Sequence, residues 1–307
     1  MRDISHKVET LREALAETWI SVPGELQPLL EQGKTEKGDA LEIARSAGIM
    51  AAKRTWELIP LCHPIPIQHV EIKYHFEKGG LRIQAGVKSI ASTGVEMEAL
   101  TAASLTALTI YDMLKPYNQE IEIGYLKLIS KTGGKSDYRE KLEPAIKTAV
   151  VVLSDSVAAG KKEDRAGKAV IAGLEADENV EILSYEILPD DAKALVKRVK
   201  ELVNAGTDLL LTVGGTGLSH TDITVETLRP LIEREIPGLM ETARSHGQKR
   251  TRYSMLSCGI AGMIGDTLVI TMPGSTKGAK ETFDALFPAV LHIFQVLRKI
   301  PHKHGYS

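Results

Sequence analysis

Cysteine is nearly missing from this chain. Cys62 and Cys258 are the two in 307 residues, too few for a four-thiolate zinc site, an iron–sulfur cluster or a disulfide framework. Aromatic residues are scarce as well, at 5%, which argues against a stacking platform for nucleic acid and favours aliphatic packing of helices on sheets. Neither sign of charge is in excess. The net charge is −2, with 18 basic and 20 acidic side chains in residues 1–146 and 20 of each in 147–307. Neither half therefore offers a polyanion-binding surplus, and any anion must be bound locally. No run approaches the roughly 18 uninterrupted apolar residues of a membrane span, and Met1-Arg2-Asp3-Ile4-Ser5-His6-Lys7 lacks the apolar core of a signal peptide. A cytoplasmic protein with no membrane and no nucleic-acid partner is expected.

What is present is an ordinary globular composition, 43% hydrophobic and 25% charged, in a chain about two domains long at roughly 150 residues each. Residues 132–146 combine glycines, alternating charges and a proline, then yield to the apolar run Ala149–Leu153. The expected domains are 1–140 and 147–307, with 141–146 as linker. The halves share no internal repeat. In the second, strand-like runs (Lys147–Ser154, Val180–Leu188, Thr207–Val213, Asp266–Met272) alternate with helical periodicity (Gly167–Leu174, Asp191–Ala205, Thr224–Glu235, Ala279–Arg298), which predicts a three-layer α/β domain with a mostly parallel sheet. The first half predicts helices over Lys37–Arg54 and Val95–Leu114 and strands over His69–Phe76, Leu81–Val87 and Glu120–Ile129. That grouping is α+β, expected as a ferredoxin-like fold with an antiparallel sheet.

Several residues of the first half suit chemistry. Prolines bracket Pro60-Leu61-Cys62-His63-Pro64, so His63 is either a stiffly aimed imidazole for proton transfer or a turn histidine. Thr93-Gly94-Val95-Glu96 fits a capping box at a helix start. Glu98 lies one turn into a helix almost free of charge until Asp112 and Lys115. These last two share a face, as an acid–base pair or as a surface ion pair. Glu98 and Asp112 are fourteen residues apart, about 21 Å along a helix rising roughly 1.5 Å per residue. If both are functional, sites shared between subunits are predicted.

The segments Lys37-Gly38-Asp39, Ala47–Thr55, Leu58–Pro64, Thr93–Ala102, Thr109–Met113 and Lys131–Ser136 closely resemble the MoaC family, cyclic pyranopterin monophosphate synthase of molybdenum-cofactor biosynthesis. The likeness runs from about Asp3 to Asp137. It implies conversion of a cyclic dihydro-GTP into cyclic pyranopterin monophosphate with release of pyrophosphate, in a homo-oligomer expected to be a hexamer with interfacial sites. It further implies Asp112 and Lys115 as the central acid–base pair, Leu61, Cys62, His63, Glu96, Met97 and Glu98 as substrate-contacting residues, and Lys7, Arg12, Lys37 and Lys131, with Asp3 beside them, around the triphosphate and reacting ring. Expelled pyrophosphate leaves charge that such cations stabilise. Two departures from the family pattern are Gly33-Lys34-Thr35-Glu36, where a histidine-containing run is usual, and Leu114 in place of a cysteine.

In the second half, Gly214-Gly215-Thr216-Gly217 follows an apolar run and precedes a helix, as a phosphate cradle or as tight packing. Lysine does not follow at P-loop spacing. Asp222 and the pair Asp190-Asp191 could cap helices or hold a cation. Pro273-Gly274-Ser275-Thr276-Lys277-Gly278 is a second candidate anion cradle. Together with Ser154-Asp155-Ser156, Glu163–Gly167, Leu188–Asp191, Pro237-Gly238 and Met272–Ser275, these stretches resemble the MogA/MoaB family over about Lys147 to Arg298. That resemblance implies adenylylation of molybdopterin with Mg-ATP. Asp190 and Asp222 would be the catalytic and magnesium-holding aspartates, and Gly214, Gly215, Thr216, Gly217, Gly274 and Ser275 the ligand-cradling residues, with trimeric contacts through this domain. The alternatives are a noncatalytic pterin-binding or scaffolding second domain, or one half acting solely as an oligomerising platform. His302 and His304 read as a solvated tail without a role.

Overall fold

The computed structural model describes residues 1–118, 120–134, 137 and 141–299. Lys135, Ser136, His302 and His304 lie outside the described residues. The chain forms two compact units, Met1–Asp137 and Tyr138–Ser307.

The first unit runs β1 (Thr10–Ser21), α1 (Ala40–Lys53), β2 (His69–Glu77), β3 (Gly80–Ala91), α2 (Glu96–Leu114) and β4 (Ile123–Thr132). Its antiparallel sheet has the order β2-β3-β1-β4. Strand β1 escaped the sequence reading because Leu-Arg-Glu-Ala-Leu-Ala-Glu is rich in helix formers. Pairing on both edges, Thr10 to Ala91 through Ser21 to Gly80 on one side and β4 on the other, overrides that propensity. Helices α1 and α2 meet through small residues, with Ala40, Ala44, Ala99, Ala103 and Ala107 all fully buried. At Gly48 a Cβ would sit 2.1 Å from Thr106 Oγ1, so only glycine lets the helices come this close. Asp39 caps α1 by accepting from the Leu41 and Glu42 N–H groups.

The capping box expected at Thr93–Glu96 does not form. Val95 is the N-cap of α2 and gives no side-chain cap. Glu96 instead turns toward Lys131, so a cation on the sheet takes the carboxylate that the box would have used.

The second unit is built from β5 (Ile146–Leu153), α3 (Ala166–Glu175), β6 (Val180–Leu188), α4 (Ala192–Asn204), β7 (Leu209–Val213), β8 (Arg234–Glu235), α5 (Pro237–Gln248), β9 (Ala261–Ile264), β10 (Thr267–Met272) and α6 (Thr276–Leu286). The sheet order is β6-β5-β7-β10-β9-β8, parallel over its first four strands and antiparallel at β9 and β8. Successive residues of β5 feed opposite cores. Val150 and Val152 pack with α3 and α6 residues such as Val170 and Ala279, while Ala149, Val151 and Leu153 pack with Leu195 and Val199 of α4. A strand buried on both faces needs a continuous apolar run, and this is why that run was legible.

Two predicted helices are corrected. The pattern over Thr224–Glu235 is helical only to Leu228, where a 3₁₀ turn containing Pro230 leads into edge strand β8. The pattern over Ala279–Arg298 stops at Leu286, because Phe287 takes an extended conformation before Pro288. A shorter helix follows over His292–Leu297. Proline lacks an N–H and pushes its predecessor out of the α region. Among the described residues no helix is long and apolar enough to cross a membrane.

Candidate active sites

In the first unit, the candidate residues gather at the two ends of α2. At its C-terminal end Asp112 is clasped by two cations, with Lys115 Nζ 2.8 Å from Oδ1 and Lys37 Nζ 2.9 Å from Oδ2. Lys37 Nζ also donates to the Asp112 carbonyl at 3.2 Å. Lys37 arrives on a tight loop in which Gly38 has φ +106°. Tyr117 Oη accepts the Glu36 N–H beside it, a supporting contact that sequence reasoning missed. Lys115 and then Lys37 pull the Asp112 carboxyl down to about 2, and Asp112 raises the Lys115 ammonium. All three side chains stand about half exposed, with Asp112 at 51%. The carboxylate is ionised and available.

At the N-terminal end of α2, burial dominates. Glu98 is 4% exposed, and burial, with Glu96's charge adding to it, pushes its carboxyl up to about 7 against a bond from its own N–H. The Cys62 thiol is raised first by burial and then by the charge of Glu98, which is near enough to be felt there. His63 Nε2 lies 2.8 Å from the Arg2 carbonyl, fixing the ring to the N-terminal segment. In that segment Asp3 accepts the Ser5 N–H and the Lys7 carbonyl accepts from Ser92 Oγ at 3.5 Å. Lys131 Nζ meets Glu96 at 3.0 Å. Burial works to raise the Glu96 carboxyl, but its own N–H, Lys131 and Arg12 hold it below the usual carboxylate range. Arg12 is buried, its Nε donating to the Ala91 carbonyl at 3.2 Å. Leu61 and Met97 are exposed. Glu98 with Cys62 and Glu96 with Lys131 are thus brought together, and Asp112, Lys115 and Lys37 form a separate trio about 21 Å away along the helix.

The second unit places its candidates differently. Gly214 (φ +107°) and Gly215 (φ +62°) turn the chain at the end of β7, where added Cβ atoms would strike the Leu153 carbonyl at 2.3 Å and Thr224 Oγ1 at 2.2 Å. Thr224 Oγ1 donates to the Gly214 carbonyl, and its N–H donates to that of Gly215, so the loop is held open by its own helix. Asp191 is a cap, accepting the Ala194 N–H for α4. Asp190 is not. Its carboxylate accepts the Asp155 N–H and its N–H returns the bond to Asp155, both at 3.0 Å. Nor does Asp222 cap the next helix, whose N-cap is Ile223 without a side-chain bond. It accepts the Ser219 N–H at 2.9 Å instead.

Asp190 and Asp222 line one cavity of about 630 Å³, together with Ser154, Lys162, Arg165 and Gly214. Burial raises the Asp190 carboxyl first, opposed by the Asp155 N–H and reinforced by the charges of Asp155 and Asp222. Two carboxylates that feel each other across one cavity, with hydroxyl groups beside them, form an all-oxygen donor set that fits Mg²⁺ sharing phosphate oxygens. Among the described residues, no group of three or more His, Cys, Asp or Glu side chains is disposed to hold a metal ion. Ser275 caps α6 by accepting the Gly278 N–H at 3.1 Å, and the Thr216 carbonyl accepts the Cys258 N–H. Both still line a second cavity with Gly217 and Gly274. The parts that sequence reasoning missed at this site are Lys162 and Arg165. Arg165 lies in the stretch Glu163–Gly167 that was noticed and Lys162 just before it, but nothing there marked either as lining a cavity.

Residues 1–134 match the MoaC family, and residues 149–292 match a family described as a probable molybdopterin binding domain. The chain is 41% identical over 303 residues to the molybdenum cofactor biosynthesis bifunctional protein of Chlorobaculum tepidum, covering 98% of this chain and 96% of the other. It belongs to the bifunctional molybdenum cofactor biosynthesis proteins. Within this bifunctional chain, 137 residues are 51% identical to the cyclic pyranopterin monophosphate synthase of Brevibacillus brevis, covering 44% of this chain and 86% of that one. The crystal structure of the molybdopterin biosynthesis enzyme MoaB from Thermus thermophilus is 36% identical, covers 51% of this chain and 98% of that one, and superposes with a TM-score of 0.48.

Proposed function

We propose that this chain catalyses two separate steps of molybdenum-cofactor synthesis. The first unit converts cyclic dihydro-GTP to cyclic pyranopterin monophosphate and pyrophosphate, and the second adenylylates molybdopterin with ATP. The element order and sheet order of the first unit, read as β4-β1-β3-β2, support the ferredoxin-like reading.

For the first unit, the carrying observation is the Lys37–Asp112–Lys115 cluster. An ionised carboxylate between two ammonium groups accepts or relays a proton while the cations stabilise charge developing on a nucleotide oxygen. The raised, buried Glu98 is suited to hold a proton near neutral pH and donate it. A second copy of the chain brings the two ends of α2 into one site, through the homo-oligomer for which a hexamer is proposed. Strand β4 supports this, because Leu126 and Ile129 on it stand 47% and 44% exposed, an apolar edge of the kind that oligomers cover.

For the second unit, the carrying observation is that Asp190 and Asp222 share a cavity beside Gly214 and Gly215. The glycine turn presents backbone N–H groups to phosphate, and Lys162 and Arg165 add charge on the same wall. A phosphate oxygen of molybdopterin attacks the α-phosphorus of ATP, and the bond to pyrophosphate breaks. Asp190 and Asp222 would hold Mg²⁺ there, and the bound ion would supply charge neutralisation for the phosphate groups. Trimeric contacts through this unit belong to the same proposal.

The test is a crossed assay on the full-length chain. Asp112→Asn should abolish formation of cyclic pyranopterin monophosphate and leave adenylylation intact, and Asp222→Asn should do the reverse. Unchanged adenylylation in Asp222→Asn would leave the second unit a noncatalytic module.

A further inference from the structure

The second cavity of the carboxyl-terminal unit carries a carboxylate that the reaction above leaves unused. This cavity encloses about 510 Å³ and shares Gly215, Asp222 and Gly274 with the cavity that Asp190 faces. Besides Asp222 its acidic lining residue is Glu281, on α6. The Glu281 side chain is only 16% exposed, and its one ion contact is Lys277 Nζ at 3.9 Å, on a lysine that is itself 72% exposed. Its oxygens accept no hydrogen bond from any described residue. Covered polar groups are normally paired, so a largely covered carboxylate that lines a cavity and accepts no hydrogen bond is placed for donors that come with a ligand. The same lining offers Met240, Ala243 and Tyr253 as surface for a flat ring, interspersed with Arg244 and the hydroxyls of Thr251, Ser254 and Ser257.

We propose that Glu281 reads the pterin ring, its two oxygens accepting from N3–H and the 2-amino group of a 2-amino-4-oxo pterin. This rests on the reading that the second unit takes molybdopterin. Two adjacent donors in one plane match a carboxylate as a guanidinium does. Adenine is a poorer partner, because its 6-amino donor lies next to the N1 acceptor and one carboxylate oxygen would face a lone pair. The pterin ring therefore belongs in this cavity and the nucleotide in the one facing Asp190. The phosphates meet at the lip formed by Gly215, Asp222 and Gly274. Glu281 is a specificity-determining residue in this arrangement and takes no part in the bond exchange.

The test is equilibrium binding to full-length protein, wild type against Glu281→Gln and Glu281→Asp, with molybdopterin, Mg-ATP, 6-methylpterin and 6-methyllumazine as probes. Lumazine carries an oxygen in place of the 2-amino group. Glu281→Gln should weaken molybdopterin on the order of 10- to 100-fold, Glu281→Asp should recover part of the loss, and Mg-ATP affinity should hold in both. The wild type should prefer 6-methylpterin to 6-methyllumazine by about tenfold or more, and Glu281→Gln should lose that preference. Retained molybdopterin affinity with retained preference in Glu281→Gln would overturn the proposal, as would loss of Mg-ATP binding in step with molybdopterin. Wild-type protein that binds Mg-ATP but no molybdopterin would instead overturn the role proposed for the whole unit.

Discussion

The two units arrange their candidate charged residues in opposite ways. In the second unit Asp190 from the loop after β6, and the glycine turn and Asp222 from the loop after β7, converge onto one cavity, because the parallel strands aim their C-terminal ends at the same side. In the first unit the candidates sit at opposite ends of a single helix, Glu98 near its start and Asp112 near its end, and a rigid helix cannot fold them together. A site assembled from loops can be complete in one chain, whereas the shared site proposed for the first unit draws on a second chain.

The largest effect that sharpens this contrast is at the aspartates themselves. Asp222→Ala should lower adenylylation on the order of a hundredfold or more while formation of cyclic pyranopterin monophosphate continues at the wild-type rate, measured on the same preparation. Gly214→Ala comes next, since a Cβ there meets the Leu153 carbonyl at 2.3 Å and φ is +107°. It should cost about 1–3 kcal/mol and lower the melting midpoint, whereas Gly24→Ala, with nothing within 4 Å, should not. An unshifted midpoint in Gly214→Ala would mean that the turn is not under the constraint described.

Smaller effects follow from Glu98. Its folded-state carboxyl is raised to about 7, above the ordinary glutamate value of about 4.3, so the folded state holds the proton more tightly. Glu98 therefore favours folding below about pH 4 and loses that contribution as pH rises through 7. Glu98→Gln should flatten the pH dependence of the melting midpoint between those limits. It should also lower the Cys62 thiol pKa and speed alkylation of Cys62 near pH 8, because Glu98 is one cause of the raised thiol. An unaltered alkylation rate would separate Cys62 from Glu98. The smallest structural effect is expected at Lys115→Met. The exposed ion pair with Asp112 contributes little to stability, so the melting midpoint should stay within error while synthase activity collapses. That split marks a functional pair rather than a structural one.

The fold was legible wherever burial had one cause. The continuous apolar runs of β5, β7 and β10 and the helix α2, uncharged between Glu98 and Asp112, declared themselves, whereas β1 did not, because its strand state comes from two neighbours and not from its own Glu, Ala and Leu residues. Helix lengths were overread where Pro230 and Pro288 interrupt an otherwise periodic pattern. At the sites, residue type and spacing marked Asp112, Lys115, Asp190 and Asp222 as candidates. Spacing could not say that Asp191 caps a helix while its neighbour Asp190 faces a cavity, since both conformations suit the same Pro-Asp-Asp string. Glu281 was invisible because an i, i+4 lysine makes it look like an ordinary helix-surface pair.

The contrast between the units is tested most directly by complementation. Full-length chains carrying Glu98→Gln and Asp112→Asn are each purified alone and after co-expression as mixed oligomers, and synthase activity is measured. Each variant alone should be inactive. Mixed oligomers should recover roughly a quarter of wild-type activity, the share of interfaces that draw an intact Glu98 from one copy and an intact Asp112 from another. The paired control, Asp190→Asn with Asp222→Asn, should recover no adenylylation. Mixed oligomers that form but regain no synthase activity would contradict the shared site.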